Sequence, residues 1–124
     1  MAKRFYLATK KDRASEANEI SEALKRYGWE RTLTWSDRTQ ASSESHAELA
    51  QAELKAVREA DVLIVMLPGG YGTHVEIGAA LALGKPVILH APNQKTLETP
   101  YLCVFHYHPS VKVLISETLR IDQV

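Results

Sequence analysis

Apolar residues along this chain fall into two patterns, short continuous runs and helically spaced stripes. The runs are typical of strands in a parallel sheet, because such strands are covered on both faces. The stripes are typical of helices that rest one face on a core. These patterns predict strands over 4–8, 29–35, 62–67 and 86–90, and helices over 15–27, about 45–59, and 73–83.

The predicted elements alternate between strand and helix as far as residue 90. Beyond it, 102–107 and 111–115 are both strand candidates, and the last residues are compatible with a short helix. Alternating strands and helices with short connections favour a doubly wound α/β fold, an α/β/α sandwich around a parallel sheet of about five strands. In such sheets ligands bind at the carboxyl ends of the strands, so residues that follow the first three strands are the first candidates for a site.

The turn after the third strand, PGGYG over 68–72, is rich in glycine. Glycines let a backbone approach a ligand closely, and the amides at a helix N-terminus favour anions. Gly70, Gly72 and Thr73 are therefore candidates for ligand binding. The turn is neither a Walker loop nor a dinucleotide fingerprint, and many strand-to-helix turns are glycine-rich for steric reasons alone.

Glu76 is the only Asp, Glu, Lys or Arg residue between Asp61 and Lys85, and it lies in the first turn predicted for an otherwise apolar helix. Two interpretations are equally open. In one, the carboxylate only compensates the helix dipole, as first-turn glutamates commonly do. In the other, the dipole and nearby amides keep the carboxylate ionised, as a nucleophile or a stabiliser of an oxocarbenium ion must be.

Composition narrows the class of ligand. The chain has 124 residues, 45% of them hydrophobic, which is enough for one domain over 1–124 with a core of its own. Its 15 Lys and Arg residues balance its 15 Asp and Glu residues, so it lacks the positive field that nucleic-acid polymers attract. We therefore expect a small-molecule ligand and no nucleic-acid partner.

The cysteine and histidine residues give no indication of a cofactor. Cys103 is the single cysteine, and no apolar run is long enough for a signal peptide or a membrane span, so we expect a cytoplasmic protein with no membrane partner. The histidines are scattered over different predicted elements without the spacing of a metal motif, so we expect no metal. They are His46, His74, His90, His106 and His108.

Four segments occur in a specific order: EL at 53–54, ADVLIV at 60–65, GTHVEIG at 72–78 and ALGKPV at 82–87. In order and spacing, over most of the chain, they resemble the nucleoside 2-deoxyribosyltransferase family, which includes nucleoside and nucleotide N-glycosidases. The resemblance implies a flavodoxin-like fold. It also implies cleavage of the bond between a sugar C1′ and a nucleobase, in a nucleoside or a nucleoside 5′-monophosphate.

The same resemblance implies catalytic roles for three side chains. Glu76 would attack C1′ to form a glycosyl-enzyme ester, which water resolves in a hydrolase and a second base resolves in a transferase. Tyr6 would orient that carboxylate. Glu53 stands where the family usually carries an aspartate that interacts with the base and acts as proton donor. Gly70 is a further departure, since family members often have Asp or Ser there to contact the sugar.

The segment PGGYGTHVE over 68–76 is also similar to the PGGxGTxxE signature of the cytokinin-type phosphoribohydrolases. Those proteins cleave a base from a nucleoside 5′-monophosphate. The upstream arginine and glycine-rich motifs of that family are not found in this chain. Both resemblances point to cleavage of an N-glycosidic bond.

Three further groups complete the substrate-binding candidates. The loop after the first strand holds Thr9, Lys10, Lys11 and Arg13, which would bind a 5′-phosphate with the amides of the glycine turn or would simply form a charged surface. Trp35 would stack on a base, or anchor a core or an interface. His74 lies beside the predicted nucleophile and would contact substrate or face solvent.

Two questions stay open from the residues alone. A non-catalytic nucleotide-binding or sensor domain on the same fold is the alternative to an enzyme, because Gly70 and Glu53 depart from the family pattern. We also expect a homo-oligomer, since members of the family complete their sites across subunits. The candidate interface anchors are Trp29, Trp35, Tyr101 and Tyr107.

Overall fold

The computed structural model describes residues 3–33 and 43–124. Three layers are formed, with helices on both faces of one sheet. The strands are β1 (Arg4–Ala8), β2 (Glu30–Arg31), β3 (Val62–Met66), β4 (Val87–Ala91) and β5 (Val111–Ile115). The α-helices are α1 (Ala14–Arg26), α2 (Ser43–Glu59), α3 (Tyr71–Ala82) and α4 (Gln94–Glu98), and 3-10 helices cover Lys11–Arg13, Val104–Tyr107 and Ile121–Gln123.

The sheet has the strand order β2-β1-β3-β4-β5, and all neighbouring strands are parallel. This arrangement confirms the predicted doubly wound α/β fold with five strands. The chain leaves β1 outward to β2 and then returns to β3 on the other side of β1. The carboxyl ends of β1 and β3 therefore flank the point where the strand order reverses, which is where such sheets bind ligands.

The core lies in two layers, one on each face of the sheet. One layer packs α2 and α3 against alternate strand residues such as Leu63 and Val65, and the other packs α1 against Ile64 and Met66. All five residues of β3 are buried, as its continuous apolar run predicted. Tyr6 belongs to the first layer, which places its hydroxyl on the side of α2 and α3.

Glycines follow the ends of two helices. Gly28 follows α1 with a φ of 88°, and Gly84 follows α3 with a φ of 73°. Both values lie in the left-handed region that residues with a Cβ rarely adopt. No helix in the described ranges is long and apolar enough to cross a membrane.

The structure corrects three expectations about secondary structure. The segment 102–107 is a 3-10 helix and not a strand, because Val104, Phe105 and Tyr107 face outward instead of joining the core. Within this segment His106 is buried, and His108, which follows it, is exposed. A short helix, α4, was not predicted although Asn93 caps it by accepting a hydrogen bond from the Thr96 amide at 2.9 Å. Within the described residues, the second strand is limited to Glu30–Arg31.

Candidate functional site

A cleft of about 520 Å³ opens at the carboxyl ends of β1 and β3. It brings together residues that are distant in the sequence: the loop after β1, the middle of α2, and the glycine turn with the start of α3. The lining residues are Thr9, Lys10, Asp12, Glu53, Gly70, Gly72, Thr73 and Glu76. Seven of these eight were predicted as site residues.

A buried tyrosine is hydrogen-bonded to a buried carboxylate that lines the cleft. The Tyr6 hydroxyl donates to Glu76 Oε2 at 2.5 Å, and only 2% of Tyr6 and 6% of Glu76 are exposed. Glu53 Oε1 lies 3.3 Å from the same hydroxyl. The Tyr6 hydroxyl therefore faces two carboxylate acceptors, and Glu76 Oε2 is much the nearer one.

Glu76 does not lie where the sequence placed it in its helix. The helix begins at Tyr71, two residues before the predicted start, so Glu76 is its sixth residue and no acidic residue occupies its first turn. The field of a helix dipole acts mainly on the first turn. Dipole compensation therefore explains little of this burial, and the hydrogen bond from Tyr6 is the stronger stabilising contact.

The glycines of the turn have different functions. A Cβ at Gly69 would lie 2.6 to 2.8 Å from side-chain atoms of Thr73, so the close approach of turn and helix requires glycine there. A Cβ at Gly70 or Gly72 would meet nothing within 4 Å. These two glycines face open space, and Gly70 is the N-cap of α3 without a side chain to accept from the first amides. The helix start is thus left available to an anion.

Polar side chains after β1 tie this loop to the end of β3. Thr9 Oγ1 donates to the Met66 carbonyl at 2.7 Å, and Arg13 Nη1 donates to the Leu67 carbonyl. Arg13 also pairs with Glu16 at 2.7 Å, and this hydrogen bond lowers the pKa of Glu16. The Arg13 guanidinium therefore makes its contacts with Leu67 and Glu16, and Arg13 does not line the cleft. Lys10 is the cation that lines it within the described residues.

One lining residue was missed, and three described residues that were predicted for the site, Tyr6, Arg13 and His74, are not in the lining. Asp12 is in the cleft wall, and its place in the polar loop after the first strand was the only signal that pointed to it. His74 turns toward the 3-10 helix, where its Nε2 lies 3.0 Å from His106 Nε2. Burial lowers the pKa of His106. Trp35 lies outside the described residues, as does the side chain of Lys11.

Comparison with known proteins gives one matching family. The sequence profile described as Nucleoside 2-deoxyribosyltransferase matches residues 5–117. This range includes Tyr6, Glu53, the glycine turn and Glu76. No curated protein sequence matches the chain significantly.

Solved structures share the fold over nearly the whole chain. The CMP N-glycosidase BcmB of Clostridium botulinum is 26% identical, with a TM-score of 0.64 over 94% of this chain and 91% of that one. A 2-deoxyribosyltransferase of Bacillus psychrosaccharolyticus is 19% identical, with a TM-score of 0.68 over 97% and 94%. A de novo designed Rossmann 2x3 protein is 18% identical, with a TM-score of 0.54 over 94% and 79%. The last two likenesses concern the fold alone.

Proposed function

Because the chain belongs to the nucleoside 2-deoxyribosyltransferase family, we propose that it cleaves the N-glycosidic bond of a nucleoside or a nucleoside 5′-monophosphate with Glu76 as the nucleophile. One observation carries this proposal: a glutamate in an apolar helix, 6% exposed, lines a cleft and is held at 2.5 Å by a buried tyrosine. Burying a carboxylate in a core costs stability. Chemistry at that carboxylate accounts for keeping it there.

In the first step a Glu76 carboxylate oxygen attacks C1′ of the sugar. The C1′–N bond breaks as the ester bond forms, and its electron pair leaves with the base. Tyr6 holds the carboxylate through Oε2 and so fixes its orientation before substrate binds. Such pre-orientation lowers the entropic part of the barrier.

Glu53 supplies the proton that the leaving base needs. It lies across the Tyr6 hydroxyl from Glu76, on a different helix, so the two carboxyl groups approach one space from α2 and α3. As the general acid, Glu53 gives a proton to the base as the C1′–N bond breaks, and it is then a carboxylate that can accept a proton. Its extra methylene, relative to the aspartate usual in the family, gives it a longer reach.

In the second step the ester is resolved by water or by a second base. Glu53, now deprotonated, takes the proton from whichever nucleophile attacks C1′, and Glu76 leaves as a carboxylate. The two outcomes are an N-glycosidase and a 2-deoxyribosyltransferase. They differ in whether water or a base occupies the same position beside Glu53.

Recognition of a 5′-phosphate rests on a small set of groups. Gly72 and Thr73, at the start of α3, line the cleft together with Lys10, and the hydrogen bond from Thr9 to the Met66 carbonyl positions the loop that carries Lys10. Three acidic side chains, those of Asp12, Glu53 and Glu76, line the same cleft. A phosphate would therefore bind beside Lys10 and the start of α3, which offer the positive groups of this lining.

We also propose that the protein acts as a homo-oligomer, of two or more copies of this chain. Aromatic and aliphatic side chains are exposed on the first turns of α3 and on the neighbouring segment 101–107, and a second copy would cover them. Trp29, by contrast, packs on Phe5 at 6.3 Å between ring centroids. Sedimentation equilibrium tests the proposal, and a monomer at micromolar concentration contradicts it. The exposed residues are Tyr71, Val75, Tyr101, Leu102, Val104, Phe105 and Tyr107.

The deciding experiment is release of free base from ribo- and deoxyribonucleosides and their 5′-monophosphates, repeated with a second base added. Wild type is compared with Glu76→Gln and with Glu48→Gln, a control that changes an exposed glutamate on α2. We expect release in wild type and the control and loss of nearly all release in Glu76→Gln. Nucleotide binding without release in any form would favour the sensor alternative and would contradict the proposed chemistry.

A further inference from the structure

A second cluster of reactive side chains lies outside the lining of the cleft. His74 Nε2 and His106 Nε2 are 3.0 Å apart, and with the sulfur of Cys103 they form a group whose ligand atoms all lie within 4.8 Å of one another. His106 is buried and the other two are half-buried. The sequence predicted no metal because the histidines lack motif spacing, but the fold joins residues 32 positions apart.

We propose that His74, Cys103 and His106 bind one Zn²⁺ ion, or a transition-metal ion of similar softness. Two imidazoles and a thiolate are a ligand set that Zn²⁺ takes readily, and hard cations such as Mg²⁺ and Ca²⁺ do not. This site is separate from the reaction at Glu76, and the proposal does not depend on that reaction.

His74 is oriented as a metal ligand should be. A carbonyl oxygen only accepts hydrogen bonds, so the 2.9 Å contact between His74 Nδ1 and the Gly70 carbonyl places a proton on Nδ1. In the neutral ring the lone pair then lies on Nε2, the atom that faces His106. Metal-binding histidines are commonly fixed in this way, by a backbone carbonyl that accepts from the far nitrogen.

The distances fit an ion after small adjustments. With bonds of about 2.05 Å to nitrogen and 2.3 Å to sulfur, tetrahedral zinc places two nitrogens about 3.3 Å apart and a nitrogen and a sulfur about 3.6 Å apart. The two Nε2 atoms must therefore separate by about 0.3 Å, and the Cys103 sulfur must approach by about 1.2 Å at most. Cys103 is half-buried just before the 3-10 helix, so a change of its side-chain torsion can supply that movement.

The bound ion would have a structural effect on the cleft. It would join the start of α3 to the 3-10 helix Val104–Tyr107 and, through His74, hold the Gly70 carbonyl in place. Gly70 lines the cleft, whereas none of the three ligands does. Three protein ligands leave a fourth position for water.

The test measures metal binding on the full chain without a histidine tag. Protein stripped with a chelator is titrated with Zn²⁺ for stoichiometry and melting temperature, and with Co²⁺ for the near-ultraviolet charge-transfer band of a thiolate ligand. The variants are Cys103→Ser and His106→Asn. The matched control is His46→Asn, which changes an exposed histidine on α2.

We expect one ion per chain, a melting temperature that rises with Zn²⁺, and a thiolate band that Cys103→Ser abolishes. Losing a ligand should weaken binding by more than the roughly 10- to 100-fold that loss of a group hydrogen-bonded to a ligand causes. His46→Asn should behave as wild type. If His106→Asn is unfolded in chelator, Cys103→Ser alone decides. Binding that is equal in Cys103→Ser and wild type, or no binding in wild type, overturns the proposal.

Discussion

Replacing Tyr6 with phenylalanine isolates the contact on which the proposed chemistry depends. The substitution removes one oxygen atom that donates to Glu76 Oε2 at 2.5 Å, and both side chains are buried. A hydrogen bond to a charged acceptor contributes about 1.5 to 3 kcal/mol, whereas one between neutral groups contributes about 0.5 to 1.5 kcal/mol. We therefore expect Tyr6→Phe to cost about 2 kcal/mol of unfolding free energy in wild type and about 1 kcal/mol less in a Glu76→Gln background.

Urea unfolding measures these differences. With a slope of about 2 kcal/mol per molar urea, the loss in wild type lowers the midpoint by about 1 M. Tyr27→Phe is the matched control, because Tyr27 is 74% exposed and its substitution should change stability by less than about 0.5 kcal/mol. In the base-release assay, the same hydrogen bond corresponds to a decrease in kcat/KM of about 10- to 150-fold.

One result would refute the reasoning behind this prediction. If Tyr6→Phe costs the same free energy in the wild-type and Glu76→Gln backgrounds, the hydroxyl does not interact with the charge of Glu76. The orientation of the nucleophile would then have to come from another contact.

Three other substitutions test separate parts of the structure. Gly69→Ala should destabilise the fold by about 1 to 3 kcal/mol because its Cβ meets Thr73, while Gly70→Ala, which meets nothing, should change stability little in the same urea measurement. Lys10→Met should raise KM for nucleoside 5′-monophosphates and leave KM for nucleosides unchanged; equal effects on both would contradict phosphate binding by Lys10. Burial lowers the pKa of His90 below 6.5, so the unfolded chain binds the extra proton. Stability should thus be full above about pH 6.5 and fall below it, and thermal melts at several pH values should show a smaller fall in His90→Gln.

Much of this fold could be predicted because its core pattern is local. The apolar run of β3 and the apolar stripe of α1 each depend on spacing within one element. Gly28 and Gly84 adopt the positive φ that ends a helix, and this preference belongs to glycine itself and needs no distant contact. The segment 102–107 has the same composition as a strand. Its structure depends on whether another layer covers it, which spacing does not show.

The cleft was predictable for a different reason. Parallel strands bring their carboxyl ends to one edge, so residues after β1 and β3 meet whatever their distance in sequence. The pairing of Tyr6 with Glu76 came only through the resemblance, since a tyrosine in a buried strand is most simply a core residue. The contact of His74 with His106 joins α3 to a segment that the sequence assigned to a strand, so no local pattern indicated it.

The hydrogen bonds from Thr9 to the Met66 carbonyl and from Arg13 to the Leu67 carbonyl fasten the loop after β1 to the end of β3 at two points. Both donors are side chains, so this loop can move away from β3 only if these two hydrogen bonds break. In the proposed reaction, accommodation of different bases and sugars would then come from the other walls of the cleft, chiefly the Glu53 side of α2 and the side chain of Lys10. Substrate range in this protein should therefore change through substitutions in those walls, with the geometry at Glu76 kept constant.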